Sequence, residues 1–112
     1  MSYDGMLKEG SLKDKVIIVT GGGTGLGKSM SKYFLELGAK VVITSRKEDV
    51  LKTTASELEE ITGGTIHYVA GDVRDVQDVN RTIESTISKF GKIDALLNNA
   101  AGNFISPTEN LS

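Results

Sequence analysis

Short apolar runs alternate along the chain with longer segments that have the periodicity of a helix. The first run, 15–20, is rich in β-branched residues and lies between charged residues and glycines, as is typical of a buried parallel strand. Runs at 40–44, 65–69 and 94–98 predict three further strands.

Three amphipathic helices are predicted between these strands. They extend from Leu26 to Leu37, from Glu48 to Thr62 and from Val76 to Phe90, and glycines at 38, 63 and 91 are expected to end them. The apolar positions that trace one face of each helix are Leu26, Met30, Tyr33, Phe34 and Leu37; Leu51, Ala55, Leu58 and Ile61; and Val76, Val79, Ile83, Ile87 and Phe90.

Strands that alternate with helices indicate an α/β fold with a parallel sheet and right-handed crossovers. We expect a doubly wound, Rossmann-type sheet with strand order 3-2-1-4, formed by a dinucleotide-binding domain over 15–112. Residues 1–14 are expected to form an N-terminal arm, and 99–112 a polar loop that contains the only proline, Pro107.

Composition narrows the classes of protein that remain. The 112 residues are 38% hydrophobic and 25% charged, as in one soluble globular domain. A net charge of −2 without a basic run argues against a nucleic-acid partner. No apolar run reaches the roughly 18 residues that span a membrane. The absence of cysteine and of a visible signal or transit peptide leads us to expect a cytoplasmic protein without a metal site.

A glycine-rich turn follows the first strand and matches two different nucleotide motifs. Gly22-x-x-x-x-Gly27-Lys28-Ser29 satisfies the P-loop pattern, in which lysine reaches the terminal phosphate and the hydroxyl binds magnesium. Thr20-Gly21-x-x-x-Gly25-x-Gly27 fits a dinucleotide-binding turn with altered glycine spacing. Either motif would place backbone N–H groups and a helix N-terminus against phosphate.

The residues after the second strand predict a preference for NADPH. An NAD-binding fold places an acidic residue here for the ribose 2′-hydroxyl, whereas arginine accommodates the 2′-phosphate of NADP. This chain has Ser45 at the expected acidic position, followed by Arg46 and Lys47. The alternative is that Arg46 and Lys47 are an ordinary solvated pair at the start of a helix.

The ends of the third and fourth strands favour the dinucleotide motif over the P-loop. A P-loop protein needs an aspartate for magnesium after an apolar strand, and the strand before Asp72 is interrupted by His67 and Gly71. A dinucleotide site instead uses Asp72 as a carboxylate near the adenine amino group. It also accounts for the small residues at 99–102, which let the backbone run beside a cofactor.

Three of these segments resemble the signature motifs of the short-chain dehydrogenases/reductases: TGGGTGLG at 20–27, DV at 72–73 and NNAAG at 98–102. Three segments narrow the resemblance to the NADPH-dependent 2,4-dienoyl-CoA reductases: SRK at 45–47, DVRD at 72–75 and NNAAGNFISPTE at 98–109.

The resemblance implies a role for individual residues. Arg74, Phe104 and Ser112 match positions that contact acyl-CoA, and Asn103 matches the reacting end of the pocket. A cation at Arg74 would also attract the phosphates of CoA, although a salt bridge with Asp75 or Asp78 is the alternative. The cofactor residues implied are Gly21, Gly22, Gly23, Thr24, Gly25, Leu26, Gly27, Ser45, Arg46, Lys47, Asp72, Val73, Asn99, Ala100 and Ala101.

The Tyr-x-x-x-Lys pair that the resemblance calls for is absent. Four places after Tyr3, Tyr33 and Tyr68 stand leucine, leucine and aspartate. We therefore expect no catalytic residue in this chain, and interpret it as the inactive, cofactor-binding N-terminal half of a reductase. The fourth strand would then be an unpaired edge, apolar surface would be exposed, and the isolated chain would be poorly stable or self-associating.

For the whole protein, the resemblance implies NADPH-dependent reduction of trans-2,4-dienoyl-CoA in unsaturated fatty-acid oxidation. Its partners would be an acyl-CoA thioester and further copies of itself in a homo-oligomer, a tetramer. Two alternatives stay open. One is another short-chain reductase that acts on enoyl-CoA or 3-oxoacyl thioesters, and the other is a non-catalytic nucleotide-binding module.

Overall fold

The computed structural model describes residues 12–23 and 25–99, together with the backbone of 104–107. Five strands and three helices lie in this part of the chain, and the seven predicted elements are all among them. In chain order they are β1 (Val16–Thr20), α1 (Gly25–Glu36), β2 (Lys40–Ser45), α2 (Glu48–Thr62), β3 (Ile66–Ala70), α3 (Val76–Phe90), β4 (Ala95–Asn98) and β5 (Phe104–Pro107).

The sheet has the order β3-β2-β1-β4-β5, and its first four strands are parallel. The predicted order 3-2-1-4 is therefore confirmed. Thr20 lies opposite both Thr44 and Asn98, and Ser45 lies opposite Ala70. This register brings the carboxyl ends of four strands to one edge of the sheet, where the loops that follow them can share a ligand.

The strand β5 corrects two expectations about the end of the chain. Residues 99–112 were expected to be a polar loop, and β4 an unpaired edge. Instead β5 pairs antiparallel with β4, from Asn98 opposite Phe104 to Ala95 opposite Pro107. An open strand edge carries backbone N–H and C=O groups that need partners, and an edge strand tolerates a proline. A four-residue run that ends in proline is too short for its pattern to reveal a strand.

The core lies between the central strands and the α1–α2 layer. The strands β1 and β2 are buried along almost their whole length, as near-continuous β-branched runs require in a parallel sheet. Side chains of α1 and α2 cover one face of these strands. The buried cluster consists of Ile17, Val19, Phe34, Leu35, Ala39, Val41, Ile43, Leu51, Ala55, Leu58 and Leu97.

Helical periodicity predicted the helices themselves better than it predicted which of their apolar side chains are buried. Leu26, Ile61 and Ile87 are about half exposed or more, and Val76 is 72% exposed. In α3 the fully buried positions are instead threonines, whose hydroxyls donate to carbonyls four residues earlier in the same helix. Periodicity identifies a face of a helix, but burial also needs a neighbouring surface to cover that face.

The three glycines predicted to end the helices adopt the left-handed backbone conformation that favours this residue. Their φ angles are 98° at Gly38, 70° at Gly63 and 84° at Gly91. The N–H of Gly63 donates to the Glu59 carbonyl at 2.8 Å, and the N–H of Gly91 donates to the Ile87 carbonyl at 2.7 Å. These bonds satisfy carbonyls at the helix ends and fix where the next strand begins.

A pair of substitutions in α2 tests the assignment of its buried face. Leu58 is 0% exposed, whereas Ile61 on the same helix is 63% exposed. We expect Leu58→Ala to lower the free energy of unfolding by about 2–5 kcal/mol, because it leaves a cavity in the core. Ile61→Ala should change it by less than about 0.5 kcal/mol. Urea denaturation measures both, and equal losses would contradict the assignment.

Candidate functional site

The glycine turn after β1 is shaped by close backbone packing. Gly21 has a φ of 66° and donates its N–H to the Thr44 carbonyl at 2.8 Å. A Cβ on Gly27, in the first turn of α1, would overlap the carbonyl of Gly21, and one on Gly22 would lie 2.6 Å from Cγ2 of Ile43. Side chains at these positions would therefore push the helix away from the sheet, and only glycine lets them meet.

Gly25 has a different reason to be glycine. Its φ is 56°, and a Cβ there would meet no atom within 4 Å. Glycine is favoured at this position because the backbone is left-handed, and not because the space for a side chain is limited. The residues of this segment that were predicted to contact the cofactor thus form the turn after β1 and the start of α1: Gly21, Gly22, Gly23, Gly25, Leu26 and Gly27. Thr24 lies outside the described residues.

Two side chains from distant segments hold carbonyl oxygens of this turn. The Thr54 hydroxyl on α2 donates to the Gly23 carbonyl at 2.6 Å, and the Asn99 amide after β4 donates to the Gly21 carbonyl at 3.4 Å. Asn99 was predicted to contact cofactor, and the structure shows it contacting the turn. Thr54 was missed, although its spacing from Leu51 and Leu58 already placed it on the buried face of the helix.

The lysine that a P-loop would direct at phosphate has another partner. The Lys28 amine lies 2.9 Å from the Glu57 carboxylate on α2, and Ser29 is exposed. A P-loop needs the lysine at the terminal phosphate and the hydroxyl on magnesium. The geometry therefore favours a dinucleotide-binding turn over a P-loop.

Ser45, Arg46 and Lys47 join the end of β2 to α2. The Ser45 hydroxyl accepts a hydrogen bond from the Lys47 N–H at 3.3 Å, which helps to form the bend before the helix. Arg46 and Lys47 are exposed, and neither forms an ion pair with any residue that the structure describes. This exposure is compatible both with the predicted contact to a phosphate and with the alternative of a solvated pair at the start of a helix, so the role of Arg46 and Lys47 stays a prediction.

Asp72 and Arg74, after β3, form a bidentate ion pair. The Arg74 Nε lies 3.1 Å from Asp72 Oδ1, its Nη2 lies 3.0 Å from Oδ2, and its backbone N–H donates to Oδ1 at 2.9 Å. The side-chain hydrogen bonds of Arg74, followed by its backbone N–H, lower the pKa of Asp72 from 3.8 to about 2. The carboxylate of Asp72 is therefore ionised throughout the neutral range.

Neither Asp75 nor Asp78, the alternative partners expected for Arg74, forms its salt bridge. Asp78 pairs with Arg81 at 3.1 Å and accepts the Asp72 backbone N–H at 2.9 Å, while Asp75 caps α3 by accepting from the Gln77 N–H. The salt bridge of Arg74 is with Asp72, two residues before it. The alternating charges in the sequence of this loop did not predict which carboxylate would pair with Arg74.

These strand ends enclose an open cleft of about 440 Å³ at the carboxyl edge of the sheet. The cleft joins the glycine turn to the loops after β2 and β3, so residues far apart in the sequence face one volume. Its lining residues are Gly21, Ser45, Arg46, Gly71, Asp72, Val73 and Arg74. A smaller cavity of about 210 Å³ shares Gly71, Asp72 and Val73 and extends between the sheet and α3.

Several predicted site residues cannot be compared with the structure. Ala100, Ala101, Asn103 and Ser112 lie outside the described residues, and Phe104 is described only through its backbone in β5. Their roles remain predictions.

Two further observations concern metals and membranes. Within the described ranges, no cluster of three or more His, Cys, Asp or Glu side chains could hold a metal ion. The Nε2 atom of His67 lies 3.1 Å from the hydroxyl oxygen of Ser85. Burial, followed by the positive charge of Lys89, lowers the pKa of the His67 ring. Among the helices of the described part, none has the length and hydrophobicity to cross a lipid bilayer.

Comparison with known proteins gives consistent matches. The family model for short chain dehydrogenase matches residues 15–112. A probable 2,4-dienoyl-CoA reductase 3 of Caenorhabditis elegans is 47% identical over 108 residues, which cover 96% of this chain and 35% of that protein. A peroxisomal 2,4-dienoyl-CoA reductase of Arabidopsis thaliana is 38% identical over 109 residues, which cover 97% of this chain and 36% of that protein.

A solved structure also shares the fold. The L-sorbose reductase of Gluconobacter frateurii, crystallised with NADPH and L-sorbose, superposes with a TM-score of 0.73 at 34% identity, covering 75% of this chain and 32% of that one. The chain thus spans about a third of the length of the relatives it matches.

The ion pair of Asp72 can be tested by titration. We expect Arg74→Gln to raise the pKa of Asp72 from about 2 toward 3.8, because it removes the side-chain hydrogen bonds. Carbon-13 NMR of the carboxyl group measures this. Arg46→Gln should raise the pKa less, since Arg46 acts on Asp72 only through its charge.

The same pair predicts how acid affects stability. The pKa of Asp72 is depressed on folding, so its stabilising contribution is present above pH 3.8 and is lost as the pH falls toward about 2. The difference in acid unfolding between wild type and Arg74→Gln should therefore disappear at the bottom of this window. A difference that persisted unchanged below pH 2 would contradict the pairing.

Proposed function

Because the chain belongs to the short-chain dehydrogenase family of oxidoreductases, we propose that its cleft binds a nicotinamide dinucleotide and that this cofactor is NADPH. The observation that carries the proposal is the composition of the cleft at the end of β2. Arg46 lies there without an ion-pair partner among the described residues, and no acidic side chain is present at 45–47.

The charge at this end suits a 2′-phosphate better than a 2′-hydroxyl. A guanidinium can make two charge-assisted hydrogen bonds to a phosphate, and Ser45 adds a hydroxyl without a negative charge. An NAD-preferring site would instead need a carboxylate here to accept from the ribose hydroxyl. Lys47, the next residue along the chain, is exposed and adds a second positive charge beside Arg46.

The glycine turn fits the pyrophosphate of the same cofactor. Gly22 and Gly27 pack too closely on Ile43 and on the Gly21 carbonyl to carry side chains, Gly21 lines the cleft, and α1 begins within the same segment at Gly25. The positive end of the helix dipole and the unpaired N–H groups of the first turn favour an anion at this place.

Asp72 lines the same cleft as Arg46 and is proposed to contact the adenine end of the cofactor. Its ionised carboxylate has no proton to donate and can accept a hydrogen bond from the adenine amino group. Val73 supplies an apolar side chain to the same wall. When bound, NADPH would supply a hydride for the reduction of the substrate. The residues described here would hold and orient the cofactor.

For the natural full-length protein we propose reduction of a trans-2,4-dienoyl-CoA, as an auxiliary step in unsaturated fatty-acid oxidation. The proposal is supported by relatives named as 2,4-dienoyl-CoA reductases at 47% and 38% identity. Arg74 would bind a phosphate of the CoA group by exchanging one or both of its side-chain hydrogen bonds to Asp72 for bonds to the phosphate. Asn103, Phe104 and Ser112 are proposed to contact the acyl group, and Asn99, Ala100 and Ala101 to contact the cofactor.

Assembly and location are further parts of this proposal. We propose that the full-length protein forms a homo-oligomer and that this oligomer is a tetramer. Light scattering of the full-length protein would measure the number of subunits. A cytoplasmic location competes with the peroxisome, because the Arabidopsis thaliana relative is named as peroxisomal. Fluorescence microscopy of the tagged protein in its native cell distinguishes the two.

Cofactor preference can be tested at Arg46. In the full-length protein, we expect Arg46→Ala to raise the KM for NADPH about tenfold or more and to leave the KM for NADH almost unchanged, because only NADPH carries the 2′-phosphate. Lys52→Ala, which removes an exposed cation from the first half of α2, is the matched control. An equal loss with both cofactors would contradict the assignment of Arg46.

Substrate class can be tested by activity of the full-length protein. We expect NADPH oxidation with a 2,4-dienoyl-CoA to be at least about tenfold more efficient, by kcat/KM, than with enoyl-CoA or 3-oxoacyl-CoA substrates. The reverse order would assign the protein to another group of short-chain reductases. NADPH binding without turnover of any of these thioesters would favour a non-catalytic nucleotide-binding module.

A further inference from the structure

Thr54 makes a contact that differs from those of four other hydroxyl residues in the helices. Ser31, Thr62, Thr82 and Thr86 each donate to the carbonyl four residues earlier in their own helix. The hydroxyl of Thr54 instead leaves α2 and donates to the Gly23 carbonyl, 31 residues away in sequence, at 2.6 Å. The Thr54 side chain is only 2% exposed, so this bond is shielded from water.

The acceptor of this bond, the Gly23 carbonyl oxygen, belongs to the turn that is proposed to bind phosphate. The direction in which this oxygen points therefore affects how well the turn can bind an anion. A peptide carbonyl oxygen carries partial negative charge, and within a phosphate-binding turn a carbonyl that faced the ligand would repel it. The bond to Thr54 directs the Gly23 oxygen toward the interior side of the turn, against α2. Val50, whose Cγ1 would lie 2.9 Å from a Cβ at Gly23, packs against the same glycine.

We propose that Thr54 is a positioning residue for the cofactor: its hydroxyl fixes the Gly23 peptide so that the glycine turn can accept the pyrophosphate. The inference rests on the proposed function, since it assumes that the turn binds a dinucleotide. It goes beyond that function in assigning a role to α2, which none of the predicted site residues implied.

The position of Thr54 on α2 gives this role a second consequence. The helix begins directly after Arg46 and Lys47, and Thr54 lies two turns later on its buried face. One rigid helix therefore connects the residues proposed for the 2′-phosphate with the turn proposed for the pyrophosphate. On this proposal the first two turns of α2 span the distance between the two phosphate sites, and the Thr54 bond ties that part of the helix to the glycine turn.

The test compares two ligands that occupy different parts of the cleft. Adenosine 2′-monophosphate carries the 2′-phosphate and lacks the pyrophosphate, whereas NADPH carries both. In the full-length protein, Thr54→Val keeps the shape of the side chain and removes the hydroxyl. We expect it to weaken NADPH binding about tenfold, because the Gly23 carbonyl loses its buried donor, and to leave the inhibition constant of adenosine 2′-monophosphate unchanged.

Controls separate positioning from general stability. Thr54→Ser retains the hydroxyl and should bind NADPH within about twofold of wild type. Thr53→Val makes the same chemical change at the neighbouring, exposed position and should also bind normally. Should Thr54→Val fail to fold, Thr54→Ala removes the hydroxyl with the residue of highest helix propensity and is subject to the same expectation.

Each outcome decides a stated point. Selective loss of NADPH affinity, rescued by serine, supports the positioning role. Normal NADPH binding by Thr54→Val, or equal weakening of both ligands together with a lower Tm, overturns the role of Thr54 while the proposed function stands. Failure of the wild-type protein to bind NADPH overturns the proposed function and, with it, this inference.

Discussion

The close approach of α1 to the end of β1 is the constraint on which the rest of the site depends. Gly27 in the helix lies directly against the carbonyl of Gly21, and no side chain larger than hydrogen fits between them. Because the two segments meet at backbone distance, the first turn of α1 opens at the carboxyl edge of the sheet. A helix placed further out would leave its N–H groups too far from a phosphate held at that edge.

Charge is then distributed around this fixed turn by the loops after β2 and β3. Arg46 contributes a cation without an ion-pair partner in the described structure, whereas Arg74 is neutralised by its bidentate contact with Asp72. The two guanidinium groups therefore differ in what they offer to a ligand. Arg46 can bind an anion directly, and Arg74 can do so only if it gives up hydrogen bonds to Asp72.

Much of the fold and part of the site could be predicted from local pattern. The run of β-branched residues in β1 and the boundaries of α2 are encoded by neighbouring residues, so periodicity and terminal glycines identified them. The strand β5 was not predictable in this way, because only its pairing with β4 stabilises four residues that end in proline. Likewise the exposure of Val76 and Ile87 depends on which surfaces face α3.

The sequence by itself determined the order of the seven elements before β5, the glycine turn and the kinds of side chain at each strand end, because these follow from short-range steric and chemical preferences. Only the tertiary structure decided which groups meet across those ends. It paired Arg74 with Asp72 in place of Asp75 or Asp78, and it brought Thr54 to the carbonyl of Gly23. Such contacts depend on distances between elements that the packing of the sheet and helices sets, and no local pattern contains those distances.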